Sequence, residues 1–218
     1  MDIKEFVSGI KRTNLSEDEV KNILKMAGIK TTNYLVASKE DDVDEIDNFP
    51  VVMKVCSPDI LHKTDVGGVK LNIRQKDEAV EVFREMQNKF PGEKVLIEPM
   101  EKTGVEMIMG LIRDPTFGLS IMVGLGGIFT EVFEDVSFRV IPITRKDAEE
   151  MISELKGKKL LDGFRGTKAN KNAVIDMLLA LSELANILGD DVSQMDLNPV
   201  FARENDAIAV DAKMILNR

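Results

Sequence analysis

Two subdomains of mixed α+β structure are predicted for this chain of 218 residues. The length suits one large domain or two small subdomains that share an interface. Strand-like and helix-like segments alternate without a regular βαβ rhythm, which favours an α+β fold over a doubly wound sheet. The sequence pattern changes near residues 96–104, after which glycine-rich segments separate the predicted strands. We therefore expect one domain over 1–218, with subdomains at 1–97 and 98–218 that enclose a cleft.

The first half is predicted to begin with a helix. Ser16 followed by Glu19 is a capping-box pattern, and apolar residues then recur at helical spacing from Val20 to Ala27. Gly28 follows in the position where glycine commonly ends a helix. The later strands are expected at 33–37, 51–56, 69–73, 94–100 and 105–112, and the later helices at 38–46 and 77–90.

The second half is predicted to contain strands and helices on either side of a glycine cluster at 124–127. The clearest helix of the chain carries apolar residues at helical spacing from Val174 to Leu188, which form its inward face. A basic, glycine-containing loop is expected at 157–168. Strands are expected at 120–123, 138–143, 192–200 and 207–211, and helices at 145–155 and 172–188.

Charge and composition limit the classes of partner. The formal net charge of -9 argues against a nucleic-acid or anionic-membrane surface, although a few converging basic groups can still bind an anion. The single cysteine, Cys56, excludes an intrachain disulfide, fits a reducing compartment and is interpreted as a buried small hydrophobe. The N-terminus has no apolar segment typical of a signal peptide, and the apolar stretch at 119–129 is too short to span a membrane. A cytoplasmic protein is expected.

Lys54 interrupts an otherwise apolar strand. An ammonium group on a sheet face is unfavourable unless an anion meets it, so Lys54 is a candidate for contact with a nucleotide phosphate. The alternative is an edge-strand lysine whose side chain reaches solvent.

His62 is the only histidine of the chain, and it lies in a loop that ends at Gly67 and Gly68. Glycines let the backbone turn tightly and expose N–H groups toward an anion, and Lys63 adds positive charge. Imidazole accepts phosphoryl groups because its neutral ring nitrogen is nucleophilic near pH 7. A lone loop histidine is often without function, but the loop composition together with Lys54 favours phosphoryl chemistry.

Glu98 and Glu106 alternate with apolar neighbours in two strands interpreted as adjacent. Their carboxylates would suit hydrogen bonds to an adenine amino group or to ribose hydroxyls, with the backbone at Pro99 and Met100 reading the adenine edge. The alternative is that both carboxylates lie on a solvated sheet face.

Asn198 and Asp211 are oxygen donors placed near the ends of two C-terminal strands. A carboxylate and an amide oxygen, completed by water and phosphate oxygens, are ligands that Mg²⁺ accepts. Asn and Asp also favour turns, so the pair alone is weak evidence for a metal site.

Several motifs occur together in one order, and in combination they resemble the β subunit of ADP-forming acetyl-CoA synthetases, an ATP-grasp family. A more distant similarity is to the β subunit of succinyl-CoA synthetase, but here the loop lacks the Gly-Arg-Gly-Lys phosphate cradle and has His62 and Lys63 instead. The motifs that carry the resemblance lie at 51–73, 124–138, 163–166, 197–200 and 210–213.

The resemblance implies an ATP-grasp fold and a reversible reaction in which acyl-CoA, ADP and phosphate give acid, CoA and ATP. It implies a partner α subunit with its own phosphorylated histidine, in an α₂β₂ assembly, and the cofactors ATP or ADP and Mg²⁺. By position, His62 matches the relay histidine and Lys54 matches the phosphate-contacting lysine. The remaining matches are Glu98, Met100 and Glu106 in the adenosine region, and Asn198 and Asp211 as Mg²⁺ ligands.

Two other functions remain open at this point. One is an ATP-grasp ligase that joins a carboxylate to an amine, although such enzymes usually need a further acid-binding domain. The other is a catalytically silent, nucleotide-binding regulatory subunit. Arg139 and Arg165 are candidates for contact with phosphate or with the partner subunit, and surface ion pairs are the alternative for both.

Overall fold

The computed structural model of the chain describes residues 2–127, 134–163 and 168–218. These form two compact units, of which the larger comprises residues up to 14, 20–31 and 103–218, and the smaller comprises 15–19 and 32–102. The sequence-based division at residue 97 assigned the whole N-terminal region to one subdomain. In the structure most of the first 31 residues group with the C-terminal half, because bridges join Asn14 to Ile215 and Thr31 to Ala209.

The smaller unit is built on a four-stranded antiparallel sheet among its described residues, with strand order β1-β4-β2-β3. Strand β2 lies between β4 and β3, and all of its residues are buried. One long helix follows β3 and packs its apolar side, including Phe83 and Met86, into the core. The elements are β1 (Leu35–Ala37), β2 (Val51–Cys56), β3 (Val69–Ile73), α3 (Lys76–Lys89) and β4 (Lys94–Pro99).

The helix expected at 38–46 is observed as a 3-10 turn, Glu40–Glu45. Its first turn is held by Asp42, whose carboxylate accepts hydrogen bonds from the backbone N–H groups of Ser38 and Lys39. Val43 is its only buried residue, so the segment lacks the apolar stripe that would stabilise a longer helix by packing.

The larger unit contains an antiparallel sheet with strand order β10-β8-β5-β6-β7 and a short strand, β9, that pairs with β8. The first helix and the last strand of this unit were not predicted. The elements are α1 (Ile3–Gly9), β5 (Val105–Asp114), β6 (Gly118–Leu125), β7 (Val136–Val140), α4 (Arg145–Glu154), α5 (Lys171–Leu188), β8 (Val192–Ala202), β9 (Ala207–Ala209) and β10 (Ala212–Leu216).

Helix α2 (Glu17–Met26) confirms the N-terminal helix prediction. The backbone N–H of Ser16 donates to the Glu19 carboxylate at 3.0 Å, which is the second half of a capping box. The first turn of α2 groups with the smaller unit and its remainder with the larger.

Helix α5 supplies much of the core of the larger unit. The stretch Lys171–Asp191 is the one helical segment among the described residues that is long and apolar enough to pass a test for a membrane span, and half of its apolar window is buried within the protein. Nine residues of α5 are buried, from Val174 to Leu188, as predicted for an inward face. The length and composition of this segment are therefore weak evidence for a membrane span, because the core helix of a globular protein has the same properties.

Asp206 provides a test of electrostatic stability in the larger unit. Its carboxylate accepts from Arg203 through Nε at 2.6 Å and Nη2 at 2.8 Å, and it also pairs with Lys30. These contacts, the Arg203 hydrogen bonds first, lower the pKa of Asp206 from 3.8 to about 2. A carboxylate whose pKa is lower in the folded state stabilises above the unfolded value, and that contribution is lost as pH falls toward the folded value.

We expect Asp206→Asn to lower the free energy of unfolding at pH 7 by about 1 kcal/mol, since the group is partly exposed. The difference from the original protein should shrink between pH 4 and pH 2, the window set by the two pKa values of 3.8 and about 2. Thermal unfolding followed by circular dichroism across this range measures it. Asp41→Asn, in an exposed pair with Lys39, is the control and should have little effect at any pH. A constant difference down to pH 2 would contradict the assignment.

Candidate functional site

Lys54 lies on the interior strand β2, and its side chain is 5% exposed. Its Nζ is 2.8 Å from Oε1 of Glu17 and 2.7 Å from Oε2 of Glu98. The alternative of an edge-strand lysine that reaches solvent is therefore wrong. The expectation that a buried ammonium must meet an anion is confirmed, and in this structure the anions are two carboxylates of the smaller unit.

Lys54 is the centre of a buried chain of ionic and hydrogen-bonding contacts. Glu17 pairs through its other oxygen, Oε2, with Nζ of Lys63, and Oε1 of Glu98 accepts from the Thr32 hydroxyl. The two carboxylates and two ammonium groups balance in charge, and each of the four side chains is at most 6% exposed. Balanced pairing offsets the desolvation that would otherwise make such burial unfavourable.

His62 lies in the connection between β2 and β3, and its side chain is 76% exposed. Its Nδ1 is 4.0 Å from Oδ2 of Asp65, which is also exposed. The neighbouring residue, Lys63, turns the opposite way into the buried chain. The His62 imidazole of this loop is therefore exposed to solvent, whereas the adjacent Lys63 side chain is buried and anchors the loop to the smaller unit.

Gly67 and Gly68 close this loop rather than present donors to an anion. The Gly67 N–H donates to the Thr64 carbonyl at 3.0 Å, and the Gly68 N–H donates to the Lys63 carbonyl at 2.7 Å. Gly67 has a φ of +64°, and a Cβ on Gly68 would meet Val55 Cγ1 at 2.5 Å. The expectation of N–H groups exposed toward phosphate is therefore wrong for this loop conformation. The glycines are required instead for the backbone turn and the close approach to β2.

The prediction that Glu98 and Glu106 lie in adjacent strands is wrong, because β4 and β5 belong to different sheets. Glu98 is 1% exposed, so the solvated-face alternative is also wrong for this residue, and its oxygens bind Lys54 and Thr32. Glu106 is exposed, and its carbonyl accepts from the Gly126 N–H at 2.7 Å. The two carboxylates therefore differ in environment.

Met100 follows β4 and is partly exposed. Its backbone N–H donates to the Pro50 carbonyl at 2.9 Å, so the donor expected to read an adenine edge is engaged within the smaller unit. A cavity of about 320 Å³ lies beside this segment, and its lining includes Tyr34, Asp47, Glu98 and Pro99. The polar groups of this lining could accept hydrogen bonds from amino or hydroxyl groups of a small molecule.

Asn198 and Asp211 are brought together in the larger unit. The Asn198 N–H donates to the Asp211 carbonyl at 3.1 Å, and β10 begins at the next residue, opposite Leu197. Nζ of the fully buried Lys21 donates to the Val210 carbonyl at 2.9 Å, which fixes the chain immediately before Asp211. The two residues are therefore neighbours through their backbones. Asp211 immediately precedes β10, but Asn198 lies within β8, so the expected placement at a strand end is wrong for Asn198.

A second acid, Asp196, lies on β8 two residues before Asn198. Burial raises its pKa, and the charge of Asp211 raises it further, whereas Lys213, its β10 partner, opposes the shift. The shift therefore arises mainly from burial, and the nearby positive charge of Lys213 outweighs the negative charge of Asp211.

These residues fit Mg²⁺ by the chemistry of their donors. Asn198 is exposed and Asp211 half-buried, and both carry the hard oxygen atoms that Mg²⁺ prefers. Among the described residues no group of three or more His, Cys, Asp or Glu side chains could hold a metal by itself. A metal bound by few protein ligands, with water and phosphate oxygens completing the shell, agrees with both observations.

Arg139 makes an ion pair within the larger unit. Its Nη1 donates to Oε2 of Glu154 at 3.1 Å, its Nη2 also contacts that carboxylate, and the contact with Glu154 raises the pKa of Arg139. The structure favours the ion-pair alternative for this residue. Arg165 lies outside the described residues, as does part of the motif at 124–138.

Cys56 confirms its predicted burial at the end of β2. Burial first, and then the nearby charge of Asp18, raise the pKa of the thiol to about 12. Such a thiol remains protonated at neutral pH and has little nucleophilic reactivity.

Comparisons with known proteins agree along the whole chain. A family model described as an ATP-grasp domain matches residues 7–216. Acetate–CoA ligase (ADP-forming) I subunit beta of Pyrococcus furiosus is 45% identical over 226 residues, covering 98% of this chain and 97% of that protein. Acetate–CoA ligase (ADP-forming) II of Archaeoglobus fulgidus is 45% identical over 206 residues, which are 93% of this chain but only 30% of that protein.

A solved structure from Ca. Korarchaeum cryptofilum is similar over 99% of this chain and 100% of that chain, with a TM-score of 0.87 and 40% identity. It is described as a dinucleotide forming acetyl-coenzyme A synthetase 1 in complex with coenzyme A and Mg-AMPPCP, with its phosphohistidine segment pointing towards the nucleotide binding site.

Proposed function

The chain belongs to the ATP-grasp family, and from that membership we propose that it is the nucleotide-binding subunit of an ADP-forming acyl-CoA synthetase. In this function His62 passes a phosphoryl group between a partner subunit and ADP. The observation that carries the proposal is the loop that bears His62. This loop holds the only imidazole of the chain in an exposed position. The adjacent residue, Lys63, is fixed by its buried ion pair with Glu17.

Phosphoryl transfer requires from the protein mainly a nucleophile and the correct placement of that nucleophile. When ATP forms, an oxygen of the ADP β-phosphate attacks the phosphorus on His62, the P–N bond breaks, and the ring nitrogen recovers its electron pair. In the reverse direction the ring nitrogen attacks the γ-phosphorus and ADP leaves. No external oxidant, reductant or proton donor is needed, because charge and electrons balance within the transfer.

Lys54 is the cation that we assign to the phosphates. Its burial beside Glu17 and Glu98 keeps the ammonium in one place, and preorganised charge of this kind stabilises a transition state better than a mobile surface lysine. Glu98 then acts mainly by holding Lys54. Gly67 and Gly68 serve as hinge points of the His62 loop.

Asn198 and Asp211 are assigned to Mg²⁺ of the nucleotide, which neutralises phosphate charge when bound. Lys21 and the hydrogen bond between the Asn198 and Asp211 backbones place the two side chains. Met100 and Glu106 remain candidates for contact with adenosine.

The reaction requires a second protein subunit. The Pyrococcus relative is called subunit beta, and the Archaeoglobus relative is more than three times as long as the region that matches this chain. We propose an α partner that binds CoA and forms the acyl phosphate, in an α₂β₂ assembly in the cytoplasm. The acid is not specified by these residues, since acyl selection belongs to the α partner.

Transfer of label from ATP to His62 tests the proposal. The chain, purified with its co-expressed α partner, is incubated with Mg²⁺ and ATP labelled in the γ-phosphate, and the acid-labile label is located by peptide mapping. We expect label on His62 and its release as ATP when unlabelled ADP is added. A passive regulatory subunit would bind ATP without label, and a carboxylate–amine ligase would label the acid instead. Either result would refute the relay.

A further inference from the structure

We propose that Glu17 is a positioning residue for the phosphoryl relay, because its single carboxylate holds both Lys54 and the base of the His62 loop. One oxygen, Oε1, lies 2.8 Å from Nζ of Lys54, and the other, Oε2, pairs with Nζ of Lys63. The proposal rests on the proposed function, which places Lys54 and His62 at the phosphate. It assigns a role to a residue that lies 45 positions before His62 in the sequence.

The connection from Glu17 to the imidazole is short. Lys63 is adjacent to His62, and its carbonyl accepts from the Gly68 N–H at 2.7 Å, which closes the loop. The Gly68 carbonyl in turn accepts from the Val55 N–H on β2 at 2.8 Å. The side chain and the carbonyl of Lys63 are thus both held, which restrains the backbone that carries the preceding side chain, His62.

The burial of Glu17 makes this role specific. Its side chain is 2% exposed and that of Lys63 is 6% exposed, so neither charge can exchange its partner for water without moving. An exposed pair in the same unit, Lys70 with Glu85, is 45% and 62% exposed at its two side chains and can break freely. The buried pair therefore controls the loop, and the exposed pair serves as its matched control.

A loop that relays phosphate must be placed in one orientation and must also be able to leave it. Neutralising Glu17 or Lys63 removes the ion pair that anchors the His62 loop at Lys63. The backbone of the loop and the His62 side chain remain unchanged. The loop then samples other orientations more often. The rate of phosphoryl transfer falls because fewer encounters have the reactive geometry.

The test uses Lys63→Met and Glu17→Gln, with Lys63→Arg as the conservative replacement and Glu85→Gln as the control. Hydrogen exchange of the Gly67 and Gly68 amides reports on the loop, and exchange within α3 reports on the rest of the smaller unit. We expect loop exchange to accelerate about tenfold or more in Lys63→Met and Glu17→Gln, and to stay accelerated in the charge-balanced double variant Lys63→Met/Glu17→Gln, in which α3 exchange should return toward that of the original protein. Lys63→Arg and Glu85→Gln should behave like the original protein.

Activity of the complex with the α partner gives the second measurement. We expect the rate of His62 phosphorylation to fall about tenfold in Lys63→Met, with the Kd for ADP changed less than about twofold. Lys63→Met is the more selective variant, since Glu17→Gln also weakens the contact with Lys54. The double variant should be no slower than the more affected single variant, because both remove the same pair.

Loop exchange that stays unchanged in both single variants would overturn the proposal. Exchange that accelerates equally in α3 of the charge-balanced double variant would also overturn it, because Glu17 and Lys63 would then support the whole unit. If His62 of the original protein takes no label while the loop responds, the proposed function fails and the anchoring role stands. If His62 is labelled and exchange in the loop does not accelerate in the variants, the proposed function stands and the anchoring role of Glu17 fails.

Discussion

Replacement of His62 by Ala is expected to abolish net ATP synthesis and leave ADP binding nearly intact. The side chain is 76% exposed, and its one ionic contact among the described residues is with Asp65 at 4.0 Å, so its removal breaks no buried ion pair of that part of the chain. Surface changes of this kind alter the free energy of unfolding by less than about 0.5 kcal/mol. Loss of the only imidazole of this chain, in contrast, should lower kcat of the complex with its α partner by about a thousandfold or more.

The measurement is acyl-CoA-dependent ATP synthesis by the reconstituted complex, together with calorimetric titration of ADP and Mg²⁺. We expect the Kd for ADP to change less than about threefold, since the imidazole contributes to the transfer and not to ground-state binding. Asp65→Asn is a suitable control, because it leaves the imidazole in place and removes only an exposed charge 4.0 Å from it. Near-normal turnover of His62→Ala would contradict the relay directly.

The sequence predicted most of the elements because their signals were local. The strand Val51–Cys56 and the helix Lys171–Leu188 were expected nearly to the residue, since apolar runs and helical spacing are read within one segment. The seven-residue helix Ile3–Gly9 was missed because two turns are too short to show a period. The strand Ala212–Leu216 is not among the predicted strands, the last of which is at 207–211, although its alternate residues are buried.

The candidate site could be predicted only where a residue type implied its own chemistry. Lys54 was recognised because a charged group in an apolar strand needs a counter-charge, but the sequence did not show that Glu17 and Glu98 supply it. Glu17 follows a capping residue and looks like an ordinary acid of a first helical turn. Its partners lie 37 and 46 positions away, and the distance between them in space depends on the tertiary fold.

Gly67 and Gly68 show the converse difficulty. A glycine pair beside a histidine suggests exposed N–H donors, but local backbone geometry satisfied both donors within the turn. Whether a loop N–H group is available to a ligand depends on the backbone angles φ and ψ. The sequence does not determine these angles at glycine, which adopts many conformations.

Lys54→Met is expected to have the second large effect, and on two properties at once. The original cluster has two carboxylates and two ammonium groups, and the variant leaves Glu17 and Glu98 buried with Lys63 alone. Removal of one partner from a buried ionic cluster lowers the free energy of unfolding by about 3–5 kcal/mol. Loss of the cation assigned to the phosphates should also weaken nucleotide binding and transfer.

The double variant Lys54→Met/Glu98→Gln separates these two effects. It restores the charge balance of the buried cluster, with Glu17 and Lys63 as the remaining pair, so at least half of the lost stability should return in urea unfolding followed by circular dichroism. ATP synthesis should remain as low as in Lys54→Met, because no cation is left at the β2 position to meet a phosphate. If activity returned together with stability, Lys54 would serve only to balance Glu17 and Glu98, and the phosphate role assigned to it would be wrong.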